Sequence, residues 1–358
     1  MAQSQPPKAL EETLVIDGDV HLTIPPSEAA AYIDEPYKSF IENPTYTPVP
    51  FDGWNREMGG KIQSDRVESP ADIEDTLCKD FHVDHPIVNG LPMLARIQQT
   101  DLANALMRGF NDLLLDRFLD ENEDFFGLIS LAPQDPEAAA EEIERVGDED
   151  QVVGILLDTV GANPPIGDER YDVIYRAAAD NDLQVAYHGS VNGGAIEFPR
   201  QNQGFEQFLE AHTLFHSWGA MMTLTSLLVN GVPEKFPDLN FTILESGVSW
   251  VPYTMWRLNK EYSIRRSEAP LLKKSPEKYV RDQFYFGTQP IGEPDDPEMI
   301  QKMIELVGTD SIIFATDYPH WDFDHPDGVD QHLRKTFSEE DRNKLLHENA
   351  IEAFGLDL

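Results

Sequence analysis

The feature that most constrains this chain is an alternation. From about residue 98 onward, short apolar runs take turns with amphipathic stretches of helical period. FFGLISLAP precedes DPEAAAEEIERV, QVVGILLD precedes YDVIYRAAADND, and LQVAYHGS precedes the long apolar FEQFLEAHTLFHSWGAMMTLTSLLVNG. LNFTILESG, QFYFGT and SIIFATDYPH continue the pattern with their own helical partners. With LVIDGDVH near the start, seven strands are clear, and HPIVNGL (85–91) is a weaker eighth. Strands separated by helices of that length must cross over and lie parallel. Their near-continuous apolar character fits strands buried on both faces. Eight such units predict a (β/α)8 TIM barrel. The rival, an open doubly wound sheet, wants a Gly-rich phosphate turn after an early strand, and neither GxGxxG nor GxxxxGK[ST] occurs.

Residues 1–12 read as a disordered lead-in, and 13–358 as one barrel domain. Between the first strand and residue 85 lies a stretch rich in Pro, Gly, aromatics and charges, expected to be an insertion or lid over about 25–85. Composition narrows the partners. Asp plus Glu number 65 against 27 Lys plus Arg, a formal charge of −38. Such a chain repels nucleic acid and anionic membranes. No apolar run approaches a membrane span, and the first residues lack a basic, apolar leader. The single cysteine, Cys78, can form neither an internal disulfide nor a thiolate cluster. A cytoplasmic location is expected. The acidic residues are dispersed along helices rather than gathered in a tail, which reads as a solvated surface adapted to high salt.

Barrel chemistry sits where strands end, so polar residues at C-terminal strand tips are the candidates. In order these are Asp19 and His21, Asp158, His188, Glu245, Thr288 and Asp317. Asp19 and His21 are two apart, so on an extended strand both leave one face. His188 and Asp317 arriving from other strands would complete an N2O2 set for one divalent ion, zinc first, with manganese or iron as alternatives. A D-x-H triplet alone is common, and a lone strand-end His is more often a hydrogen-bonded structural residue. The combination is what carries the reading. Asp317, beside Tyr318, Pro319 and His320, is the leading catalytic candidate; its bland alternative is a helix N-cap. Glu245 is either catalytic or half of a structural ion pair with an arginine such as Arg257. His216 is expected to line the site, His212 to be structural, and His320 to orient Asp317 or touch substrate. Arg96 is a candidate partner for a substrate carboxylate.

VIDGDVH, LQVAYHG, FATDYPHWD, HENAIEAFGL and above all GV-x-x-x-FP-x-L-x(4)-LE-S-G-x-x-W-x-P resemble the amidohydrolase superfamily. The likeness is to the amidohydrolase-related branch that holds aminocarboxymuconate semialdehyde and γ-resorcylate decarboxylases. It implies a distorted (β/α)8 TIM barrel with one divalent metal ion on Asp19, His21, His188 and Asp317, a small-molecule substrate, no organic cofactor and, since members are often dimers, a homodimer. Two departures stand out. Glu245 occupies a sixth-strand position where many members have His, and the fourth strand lacks the lysine that binuclear relatives carboxylate. The expected activity is decarboxylation of a small aromatic or unsaturated acid. Hydrolysis of a lactone, ester or amide by metal-activated water is the alternative, and a non-catalytic metal-binding scaffold the third reading.

Overall fold

The computed structural model describes residues 10–42, 66–90, 92–190 and 204–358. Eight strands form one parallel sheet in sequence order: β1 (Ile16–His21), β2 (His85–Asn89), β3 (Phe126–Ser130), β4 (Val152–Asp158), β5 (Gln184–His188), β6 (Phe241–Leu244), β7 (Phe284–Gly287) and β8 (Ile312–Ile313). The weaker eighth candidate is therefore β2. Its ladder joins β1 to β3, with Val20 opposite Val88 and Val88 opposite Gly127.

The chain beyond β8 returns to β1 and closes the sheet. Gly18 N donates to Phe314 O at 2.9 Å, Asp317 N to Asp19 O at 3.0 Å and His21 N to Tyr318 O at 2.7 Å. The buried Asp17 carboxylate rivets this seam, accepting from Thr316 N at 2.9 Å and Thr316 Oγ1 at 2.5 Å. β8 is shorter than the apolar run SIIFATDYPH suggests. The Phe314 amide is diverted from the ladder to Leu345 O at 2.8 Å, which ends regular pairing at Ile313.

Helices pack outside, among them Thr100–Leu114, Pro136–Val146, Asp172–Asp180, Phe208–Val229 and Val251–Arg265. Inside the barrel, Ile16, Ile87, Leu128, Leu156, Ala186, Leu244 and Ile313 form an apolar layer joined by Phe354 and Leu356 from the C-terminal segment. That segment lies at the N-terminal end of the strands, because Asn240, just before β6, donates to Glu352 O, and Asn349 donates to Thr309 O and Ile312 O around the start of β8. It closes the floor of the barrel and leaves the opposite end as the mouth.

Residues 10–12 of the expected lead-in form a Leu10–Glu12 turn with Leu10 buried, and residues 1–9 lie outside the described residues. The expected 25–85 insertion falls partly on residues 43–65, outside the described residues. Its described flanks form short helices, and Ala30, Ile33, Val67, Ile73 and Leu77 join the main core. Among the described residues, no helix is long and apolar enough to cross a membrane.

Candidate metal centre

Four of the strand-tip residues meet. Asp19 and His21 come from β1, His188 ends β5, and Asp317 follows β8. One ligand atom from each lies within 4.8 Å of all the others, and all four side chains are buried. His21 Nε2 is 3.1 Å from Asp19 Oδ1, 2.9 Å from Asp317 Oδ1 and 3.1 Å from His188 Nε2. His188 Nδ1 lies 2.7 Å from the Gly189 carbonyl, where it donates as N–H and leaves Nε2 with its lone pair turned inward. Gly189 makes that placement feasible, since a Cβ there would stand 2.4 Å from Glu245 O.

Neighbouring amides fix the carboxylates. Asn89 Nδ2, at the end of β2, donates to Asp19 Oδ1, and Gln289 Nε2 donates to Asp317 Oδ2 at 3.2 Å. Asp19 Oδ2 is buried with no hydrogen bond of its own. Two imidazole nitrogens facing each other between two carboxylates, with a carboxylate oxygen left over, suit a divalent cation. The donor set is that of zinc, manganese or iron sites.

The charges of the carboxylates and imidazoles hold one another in their ionised forms against burial. Burial opposes protonation of His21, but the Asp19 charge and hydrogen bonds to Asp19 and Asp317 raise it to about 8. Burial likewise opposes ionisation of Asp19, yet the facing His188 and His21 hold its carboxyl well below the usual range. Asp317 is lowered too, against burial, by His320 and His21. Asp317 takes a left-handed φ of 66° and Glu245 one of 45°, conformations that side-chain-bearing residues adopt at a cost of about 1–3 kcal/mol each.

A second group adjoins the first. Glu245 Oε2 is 3.4 Å from His188 Nδ1, and Glu245 Oε1 is 3.5 Å from His216 Nδ1. Burial, then the charges of Asp317 and Asp19, push the Glu245 carboxyl well above the usual range. Burial pushes His216 down to about 3, with the His212 charge acting in the same direction. His320 Nδ1 sits 2.6 Å from Asp317 Oδ1 with its side chain 39% exposed, so it links the cluster to solvent.

The remaining candidates and alternatives have partners of their own. Arg257 pairs with Glu261 at 2.5 Å on its own helix, so it is no partner for Glu245. Thr288 Oγ1 clasps the Ala315 backbone and does not face the cluster. His212 meets the His216 ring edge-on and the Trp321 ring at a tilt, and lies 3.4 Å from Asp322. The Asp317 side chain holds His21 and His320 instead of capping a helix. Asn89 and Gln289 escaped the strand-tip reading, although both occupy tips. Asn89 ends the one strand that was uncertain, and Gln289 lies one residue beyond the tip chosen on β7.

Comparison with known proteins agrees with this fold. A γ-resorcylate decarboxylase from Polaromonas sp. (strain JS666 / ATCC BAA-500) is 28% identical over 273 residues, 74% of this chain and 81% of that one. Among solved structures, 5-carboxyvanillate decarboxylase LigW from Sphingomonas paucimobilis superposes with a TM-score of 0.72 at 20% identity, covering 96% of this chain and all of that one. A dihydroxybenzoic acid decarboxylase from Polaromonas sp. JS666, with manganese and 2-nitroresorcinol bound, gives 0.70 at 20% identity, covering 96% and 97% of the two chains. Both structures share the (β/α)8 fold. A family profile described as amidohydrolase matches residues 16–356, nearly the whole barrel, and the chain belongs to that family.

Proposed function

We propose that this protein is a metal-dependent decarboxylase of a small aromatic or unsaturated carboxylic acid, working without an organic cofactor. The observation that carries the proposal is the buried convergence of Asp19, His21, His188 and Asp317 at the mouth. These four would hold one divalent cation; zinc suits the donors, and the manganese in the Polaromonas structure makes that ion the other candidate. When bound, the cation supplies a fixed positive centre for the substrate carboxylate and for charge that builds on the ring.

The remaining roles fall to the chain. Glu245, kept neutral by burial and by the nearby carboxylates, enters the reaction carrying a proton. Asp317 stands between that group and solvent-facing His320, within 4.8 Å of both. Asp317, ionised at rest, first takes a proton relayed from solvent through His320, 2.6 Å away, and then delivers it to the carbon that bears the carboxylate. The carbon–carboxylate bond then breaks, its electron pair returns to the ring, and carbon dioxide leaves. His216, held neutral at working pH, accepts or donates one hydrogen bond without adding charge.

Carbon dioxide release from a panel of hydroxybenzoates, run beside hydrolysis of lactones and esters, tests the reading. Turnover of lactones alone would replace decarboxylation with hydrolysis. Elemental analysis tests the metal: about one equivalent of zinc or manganese is expected, and none after careful preparation defeats the proposal. The charge of −38 supports a cytoplasmic setting of high ionic strength. Melting curves in dilute and molar KCl check this, with a higher melting point expected in molar KCl.

A further inference from the structure

Among the described residues, two arginines are buried, and they are treated differently. Arg342 donates from Nε to Asp330 Oδ1 at 2.6 Å and from Nη1 to Thr13 Oγ1 at 3.1 Å, leaving only Nη2 open. Arg96 has one contact, Nη2 to Asp158 Oδ1 at 3.4 Å, while Nε and Nη1 are buried with no acceptor. Its side chain is 1% exposed. A guanidinium carries five N–H donors, and three of these sit on the two open nitrogens. Buried donors left open are rare and call for a partner.

Position says which partner. Arg96 ends the turn after β2, whose last residue holds Asp19. Asp158 ends β4 and lies in register with His188 on β5. The Arg96 charge acts on Glu245 across the mouth, and that of His188 acts on Asp158. The guanidinium therefore belongs to the same end of the barrel as the metal cluster, on the β2–β4 side.

We infer that Arg96 seats a second anionic group of the substrate, so that the preferred substrate is a dianion whose reacting carboxylate faces the metal cluster while its other acidic group meets the open donors of Arg96. This rests on the decarboxylase reading for the first carboxylate only. In a chain of charge −38, a dianion needs compensating cations at both ends to enter at all.

The test uses the full-length protein loaded with manganese at one fixed KCl concentration. Calorimetric titration compares benzoate with isophthalate and terephthalate, which add a second carboxylate meta or para to the first. The better dicarboxylate is expected to bind about tenfold or more tightly than benzoate, as a charge-assisted pair implies. Arg96→Met should abolish that preference while leaving benzoate within about twofold, and Arg96→Lys should keep part of it. A preference unchanged in Arg96→Met, or absent from the wild type, overturns the inference. Should Arg96→Met fail to fold, Asp158→Asn decides: freeing the guanidinium should preserve or raise the preference, and its loss overturns the role. Arg96-dependent discrimination without carbon dioxide release from any acid defeats the decarboxylase reading alone. Carbon dioxide release without that discrimination defeats only the role of Arg96.

Discussion

The floor and the mouth of this barrel are built from the same eight strands, yet they obey opposite rules. At the floor, Ile16, Ile87, Leu128 and Ile313 meet Phe354 and Leu356 with no polar atom among their side chains. At the mouth, Asp19, His21, His188, Glu245 and Asp317 share a buried space, with an open Asp19 oxygen and two left-handed backbones. Such a mouth is unfavourable by itself, since buried charge and backbone strain both oppose folding. The floor and the helical jacket offset it. Stability and chemistry are thus held at opposite ends of one set of strands, which makes the division open to attack from either side.

The largest effect is expected at the mouth. Asp317→Asn should lower carbon dioxide release by about 10²–10⁴-fold with the fold intact by circular dichroism. Retained activity would strip Asp317 of its role. At the other end, Phe354→Ala should cost about 3–5 kcal/mol in urea unfolding, while metal content per folded molecule stays the same. A fall in that content would show that the two ends are not separable. Asn89→Ala should weaken metal affinity by about 10–100-fold, measured by competition with a chelator, with little change in melting point.

The smallest effect is one of pH. In chelator-treated protein His21 is expected to titrate at about 8, above its ordinary value, because Asp19 and Asp317 face it. Its protonation therefore contributes stability that is complete below about pH 6.5 and is lost as pH rises through 8, by at most about 2 kcal/mol. Metal affinity should climb over the same interval, because ligation needs the neutral ring. Urea melts and metal titrations from pH 6 to 9 check both directions, and parallel rather than opposed trends would refute the assignment.

Much of the architecture was readable in advance because strands buried on both faces must be apolar throughout, as VVGILLD is. The tips were readable for the complementary reason that a carboxylate or imidazole has little cause to follow such a run. What lay beyond reach was pairing across the circle. Nothing near Glu245 in the chain says that it faces His188 and His216 while Arg257 turns to Glu261. Asn89 was hidden because HPIVN opens with a proline-containing dipeptide and offers little alternation. The state of Arg96 was equally hidden, since an unmatched donor shows itself only after every neighbour has been placed.

The rivet between Asp17 and Thr316 joins residues 299 apart in sequence. A ribosome that has released the chain up to β7 has already made Asp19, His21 and His188 but not Asp317, whose berth forms only when the chain beyond β8 pairs with β1. Ion capture at full strength is therefore reserved for finished molecules, and a prematurely ended chain would carry three quarters of a socket and hold nothing firmly.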